Sequence, residues 1–220
     1  MIRRDYIIRV IEQFGAVWSQ IVAQIGNGLL PTARGTLDRA YADMLGLDGD
    51  ALRALRPAEI IARLRLSAAP EVANDRALVI AALFKGEGDL ALASDDHEIG
   101  IWHYARALEL LLAATAENPD APLPEHIPTV DALVALLTDY HLPFAAQRML
   151  LERYEQQHDF ARAEDALFEL LQREETRRSA LEIADRFYAR LAALDDTELA
   201  RGNFSRAEIA AGIAAARAAR

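Results

Sequence analysis

Apolar residues return every three to four positions along nearly all of this 220-residue chain, and that period is the strongest constraint on its fold. Ile7, Ile11, Phe14, Trp18, Ile21 and Ile25 step by four and three along one side of a helix, while Arg9, Glu12, Gln13 and Gln20 take the other. No stretch alternates with a period of two for long enough to predict a sheet. The spacing therefore predicts an all-α protein of antiparallel helix pairs, with about ten to twelve helices in all.

Breakers mark the expected boundaries. "GNGLLP" ends the first helix, because glycine accepts left-handed C-cap geometry and Pro31 suits the first turn of the next. The second helix runs to about Met44 and is closed by "GLDGD". Pro57 opens a short helix whose apolar side is Ile60, Ile61 and Leu64. Longer helices are expected over 71–93 and 98–117, and further ones over 129–140, 143–157, 160–174 and 177–194. "ENPDAPLPEHIP", residues 117–128, holds four prolines and reads as a hinge or a long loop within a single domain spanning 1–220. Asp195 with Glu198, and Ser205 with Glu208, have capping-box spacing, and Phe204 can staple onto Ile209.

Charge and composition exclude several classes. A net charge of −10 opposes a phosphate backbone, and the arginines are scattered from Arg3 to Arg220, so no nucleic-acid partner is expected. Arg173, Arg177 and Arg178 alternate with Glu174 and Glu175 and read as a solvated turn. The absence of cysteine removes disulfides, thiolate nucleophiles and cysteine-ligated zinc. No window approaches the roughly 20 apolar residues of a membrane span. Arg9 and Glu12 interrupt any leader-like run in "MIRRDYIIRVIEQFG", so a cytoplasmic location is expected.

Four stretches align on a turn residue: Gly28, Asp95, His158 and Gly202. Five positions later stand the small residues Ala33, Gly100, Ala163 and Ala207. Then come Leu37, Tyr104, Leu167 and Ala211, and after them Ala40, Ala107, Leu170 and Ala214. A small residue facing the preceding helix lets two backbones approach, and larger ones fill the groove. This pattern, with Tyr154 and Gly88 in first helices, resembles the tetratricopeptide repeat; turn spacings of 67 and 63 are near twice its 34-residue period, and the third, 44, needs an insertion near "LDDTELARG". "MIRRDY", "GLDGDALRALRPAEI" and "FARAEDALFELL" together resemble an uncharacterised bacterial family of tetratricopeptide-like proteins. The resemblance implies a solenoid of stacked helix pairs with a concave groove, and no assigned activity.

Motifs that could carry chemistry are weak. Gly86, Gly88 and Ala91 satisfy G-x-G-x-x-A after an apolar run, but Glu87 and Asp89 would repel a pyrophosphate and no second strand follows. Close helix contact is the better reading of those glycines. Glu155 and His158 form one E-x-x-H where a di-iron bundle needs two, with two further carboxylates. His97 and His103, six apart, fall on different helix sides, and Asp95, Asp96 and Glu98 read as helix N-terminal carboxylates. Phe14, Trp18, Trp102 and Tyr104 read as core. No catalytic, cofactor or metal residue is expected.

The function expected is therefore a non-enzymatic adaptor that holds an unidentified protein or peptide in the groove. Arg148, Glu152 and Glu155 are its candidate contact residues. Two other readings stand beside it: self-association through an apolar face, and a ligand-sensing or enzymatic groove assembled from several helices.

Overall fold

The computed structural model describes residues 2–218, with side chains from residue 14 onward. The side chains of Ile7, Arg9, Ile11, Glu12 and Gln13, which the period places on opposite sides of the first helix, lie outside the described residues. The described residues form twelve helices and no strand. They are α1 (Ile2–Gly26), α2 (Leu30–Leu45), α3 (Gly49–Ala54), α4 (Pro57–Ser67), α5 (Pro70–Ala93) and α6 (His97–Thr115). After a loop come α7 (Val130–Leu136), α8 (Phe144–Gln156), α9 (Phe160–Leu171), α10 (Arg177–Ala193), α11 (Asp196–Arg201) and α12 (Arg206–Ala218). No described helix is long and apolar enough to cross a membrane. The chain divides into two compact units, residues 1–141 and 142–220. The proline-rich 117–128 segment lies in a loop inside the first of these.

In the first unit α5 is the central rod, packed by α1, α2, α4 and α6. Its sequence accounts for this. Val79 through Phe84 are each 1 % exposed or less, and a helix that is apolar all round must be covered all round. Prolines in the first turns of α2, α4 and α5 start those helices without losing a hydrogen bond. Ile60, Ile61 and Leu64 are the buried side of α4, as their spacing predicts.

Two boundaries differ from the sequence reading. A six-residue helix, α3, lies in the "GLDGD" closure; Asp48 nucleates it by accepting hydrogen bonds from Asp50 N–H (2.8 Å) and Ala51 N–H (3.1 Å). The helix expected over 129–140 stops at Leu136. Beyond it Thr138 turns its hydroxyl onto the Val134 and Ala135 carbonyls, at 3.3 and 3.1 Å, offering the backbone an alternative to continued helix.

Three hairpins, α1–α2, α5–α6 and α8–α9, close with the same turn. Gly28, Asp95 and His158 are left-handed, at φ 71°, 60° and 56°. The next N–H reaches five residues back each time: Leu29 to Gln24 O (2.8 Å), Asp96 to Ala91 O (2.9 Å), Asp159 to Tyr154 O (2.8 Å). The small residues follow in register, and Ala33, Gly100 and Ala163 are buried, as are the two sets of residues that follow them.

The fourth alignment does not hold. The left-handed residue is Asn203 (φ 52°), not Gly202, and Ala207, Ala211 and Ala214 face solvent. Ile209, Gly212 and Ala216 are the buried residues of α12. The shift arises because Ser205 accepts from Glu208 N–H (3.3 Å) two residues after the turn residue; Asp96 and Asp159 cap their helices one residue after it. Gly202 is small for another reason: a Cβ there would stand 2.6 Å from the His158 carbonyl and collide with the Phe160 ring.

The second unit continues the pairing. Helix α9 packs against α8, α10 and α12, and α10 against α12. Phe160, Ala163, Ala166, Leu167, Leu170 and Leu171 form its buried stripe. The predicted Asp195–Glu198 capping box is present at the start of α11, and Phe204 and Ile209 are both buried.

Helices α5 and α6 also approach closely. A Cβ on Gly88 would enter the Tyr104 ring, whose hydroxyl donates to Asp89 at 2.8 Å. A Cβ on Gly100 would meet Leu92 and, at 3.3 Å, the Gly88 carbonyl. Gly88→Ala is expected to cost about 1–3 kcal/mol, because the ring is held at both ends and must shift. Urea unfolding followed by circular dichroism checks it; a cost below about 0.5 kcal/mol, no more than an unconstrained surface change gives, would show that the ring has room.

Candidate functional site

The charges buried in the first unit converge on Glu87, which is fully buried (0 % exposed) on α5. One oxygen accepts from Arg34 of α2; the other accepts from Arg53 of α3 through Nε (2.9 Å) and Nη2 (2.5 Å). Arg53 also holds Asp38 at 2.5 Å and Asp50 at 2.7 Å and lies over the Tyr41 ring at 5.4 Å. Burial would lower the Arg53 pKa, but hydrogen bonds to Glu87 and Asp38 overcome this and raise it. With both oxygens engaged, Glu87 ties α2 and α3 to α5.

Two neighbours are kept neutral. His103 of α6 is 4 % exposed, packed edge-on against Trp102 at 4.8 Å and beside Phe84 at 5.8 Å. Its Nε2 stands 3.9 Å from Glu87, and its buried Nδ1 has no hydrogen-bond partner. Burial, then the charges of Arg106, Arg34 and Arg53, lower its pKa to about 3. Tyr41 is likewise buried with an unpartnered hydroxyl, and burial followed by the Glu87 charge raises its pKa well above the ordinary value.

Arg106 of α6 completes the cluster. Only 5 % exposed, it donates to the Arg53 carbonyl (2.5 Å), the Leu52 carbonyl (3.0 Å) and the Leu55 carbonyl. These lie at the C-terminal end of α3, where carbonyls lack helical donors and the helix dipole favours a cation. The guanidinium also lies over Phe84 at 4.4 Å and Trp102 at 4.2 Å. Trp102 is therefore a lid on Arg106, not core: it is 46 % exposed, a correction to its sequence reading.

So fixed from behind, α3 forms one wall of a cavity of about 210 Å³. Ala51, Leu52 and Leu55 face Ile60 and Leu64 of α4, and Arg63 and Arg76 also line the space.

The candidate contact residues lie in the second unit. Arg148 and Glu152 are about half exposed and pair with each other at 3.3 Å. Glu155 is mostly covered and accepts two hydrogen bonds from Arg190 of α10, at 2.5 and 2.7 Å. The Glu155–His158 spacing forms no common site: His158 is exposed on its turn with its ring beside Phe160. Gly86 and Gly88 lie inside α5, where a Cβ on Gly86 would meet Trp18 and Leu37. The sequence reading missed Arg34, Arg53, Glu87 and Arg106 as a group. A signal existed: Glu87 interrupts "LVIAALFKGEGDLALA", an apolar run too long for a surface helix.

These observations define an all-helical protein assembled from hairpins, with an arginine-clamped carboxylate inside its first unit. The family model DUF6483, described as a family of unknown function, matches residues 1–220, and the chain belongs to that family. No curated protein and no solved structure matches the chain.

Proposed function

We propose that the chain is a non-enzymatic, tetratricopeptide-like scaffold that binds a protein segment along first helices of its hairpins. The observation that carries this reading is the turn shared by Gly28, Asp95 and His158, followed in register by buried Ala33, Gly100 and Ala163. Packing of a second helix against the next hairpin supports it, as α2 meets α5 and α9 meets α10. A cytoplasmic location belongs to the same proposal.

In the second unit the partner would lie along α8 and α10, reading Arg148 and Glu152, while Glu155 holds Arg190 beside them. The double variant Arg148→Glu/Glu152→Arg preserves their mutual pair but inverts the surface pattern. Capture from the native cell is expected to recover a partner with the wild-type chain and to lose it with this variant. Equal recovery by both proteins would remove these helices as the binding face.

Ile99 (42 % exposed) and Trp102 (46 %) on α6 favour a second reading, association of two copies. Its test is the solution mass over a range of concentrations, and a monomer throughout removes it.

A further inference from the structure

We propose that the cavity between α3 and α4 is a binding site for a small carboxylic acid with a compact apolar body. The proposal is independent of the scaffold reading. Size sets the first limit. An engineered apolar cavity of about 150 Å³ holds benzene, so about 210 Å³ accepts a body of roughly six to ten heavy atoms. Leu52, Ile60 and Leu64 at the back of the site are 6 %, 1 % and 4 % exposed, and Leu47 and Leu55 are half-buried at its margin. Such walls favour a hydrocarbon body over a polar one, and the few polar groups set its orientation.

Charge sets the second limit. Arg63 and Arg76 both line the cavity, in a chain whose net charge is −10. Among the described residues Arg76 is half-buried and makes no hydrogen bond or ion pair. Arg63 is exposed, and the acid within its electrostatic reach, Glu59, is already bonded to Arg56. The one carboxylate in the lining, Asp48, is engaged by the amides of Asp50 and Ala51. Ser67 gives its hydroxyl proton to the Leu64 carbonyl at 3.0 Å. A half-buried Arg76 and a solvent-exposed Arg63 thus line the apolar space, and a carboxylate is the anion that a planar fork of N–H donors fits.

The site is built, not incidental, because its short wall helix is pinned. A six-residue helix is too short to be stable alone, yet α3 is clamped by Arg53 to Glu87 and by Arg106 at its C-terminal carbonyls.

Phenylacetate, hexanoate, N-acetyl-Gly-Leu and the neutral phenylacetamide are the probes, titrated into the full chain with methyl NMR of its leucines. Phenylacetate and hexanoate are expected to shift Leu52, Leu55 and Leu64 saturably, and phenylacetamide to bind about tenfold more weakly or less. Arg76→Gln is expected to weaken the acids about tenfold while leaving the amide unchanged. Ala51→Trp, which fills the space, is expected to abolish every shift while the helical dichroism stays the same. A free acid and a peptide C-terminus offer the same chemistry; tighter binding by hexanoate or by N-acetyl-Gly-Leu assigns the source, and either supports the site. Equal binding of phenylacetate and phenylacetamide, shifts that survive Ala51→Trp, or no saturation overturns it.

Discussion

Glu87→Gln is expected to lower the stability of the first unit by about 3–5 kcal/mol, the usual cost of removing one partner from a buried ion pair. The glutamine keeps the volume of the side chain, but its amide NH2 replaces one acceptor oxygen and faces a guanidinium, so the loss reports the charge together with the hydrogen bonds to one arginine. Arg53, whose side chain is 18 % exposed, would be left with Asp38 and Asp50, which sit nearer solvent at 49 % and 93 %. Arg34, at 42 %, can turn to water and adds less. In thermal terms the change corresponds to a fall in Tm of roughly 10–15 °C for a unit of this size. A loss below about 1 kcal/mol, the level of a surface ion pair, would mean that the arginines find other counter-ions at no cost.

Acid should act on the same cluster through His103. Its folded pKa is depressed to about 3 from an ordinary value of 6.5. Between those values the unfolded chain holds a proton that the folded chain refuses, so stability is fully present above pH 6.5 and declines as pH falls toward 3. One proton contributes a slope of about 1.4 kcal/mol per pH unit, so roughly 2–3 kcal/mol is lost between pH 6.5 and 4.5. Glu109 and Glu164 are raised by burial and act in the opposite sense, their contribution fading as pH rises through their folded pKa. Comparing wild type with His103→Phe cancels them. The phenylalanine packs against Phe84 and Trp102, where His103 now sits. The stability of wild type relative to the variant should fall by about 2–3 kcal/mol as pH falls from 6.5 to 4.5, and an unchanged difference over that range would show that His103 takes up its proton inside the fold.

The two effects have a common origin. Three arginines and one glutamate share a space whose walls are Tyr41, Phe84 and Trp102. Removing the negative charge leaves cations uncompensated, and adding a proton to His103 adds a further one. Either change acts through Arg53 and Arg106, which hold α3 in place. The α3–α4 cavity is therefore expected to respond to both.

Helix positions were legible because period, caps and breakers are local. Pro57 opens α4, and Asp195 with Glu198 caps α11. The hairpin turn was legible even where Asp95 and His158 replace glycine, because the small–large–small series after it keeps its register. Helix α3 was not, since six residues are too few to display a period. The fourth hairpin was misread for a related reason. "GNFSRAEIAAGIAAARAA" carries alanine at so many positions that several registers fit it, and only contact with the rest of the second unit makes Ile209, Gly212 and Ala216 the buried ones.

Sequence alone determined that this chain is helical and where most helices begin and end, because backbone hydrogen bonds and caps link residues a few positions apart. Tertiary structure decided the ionic cluster and the cavity it supports. Arg34, Arg53, Glu87 and Arg106 stand 19 or more positions apart and, taken singly, match any solvated helix charge. Which of them meet inside the first unit depends on how α2, α3, α5 and α6 pack, and that packing follows from long-range burial rather than from any local pattern.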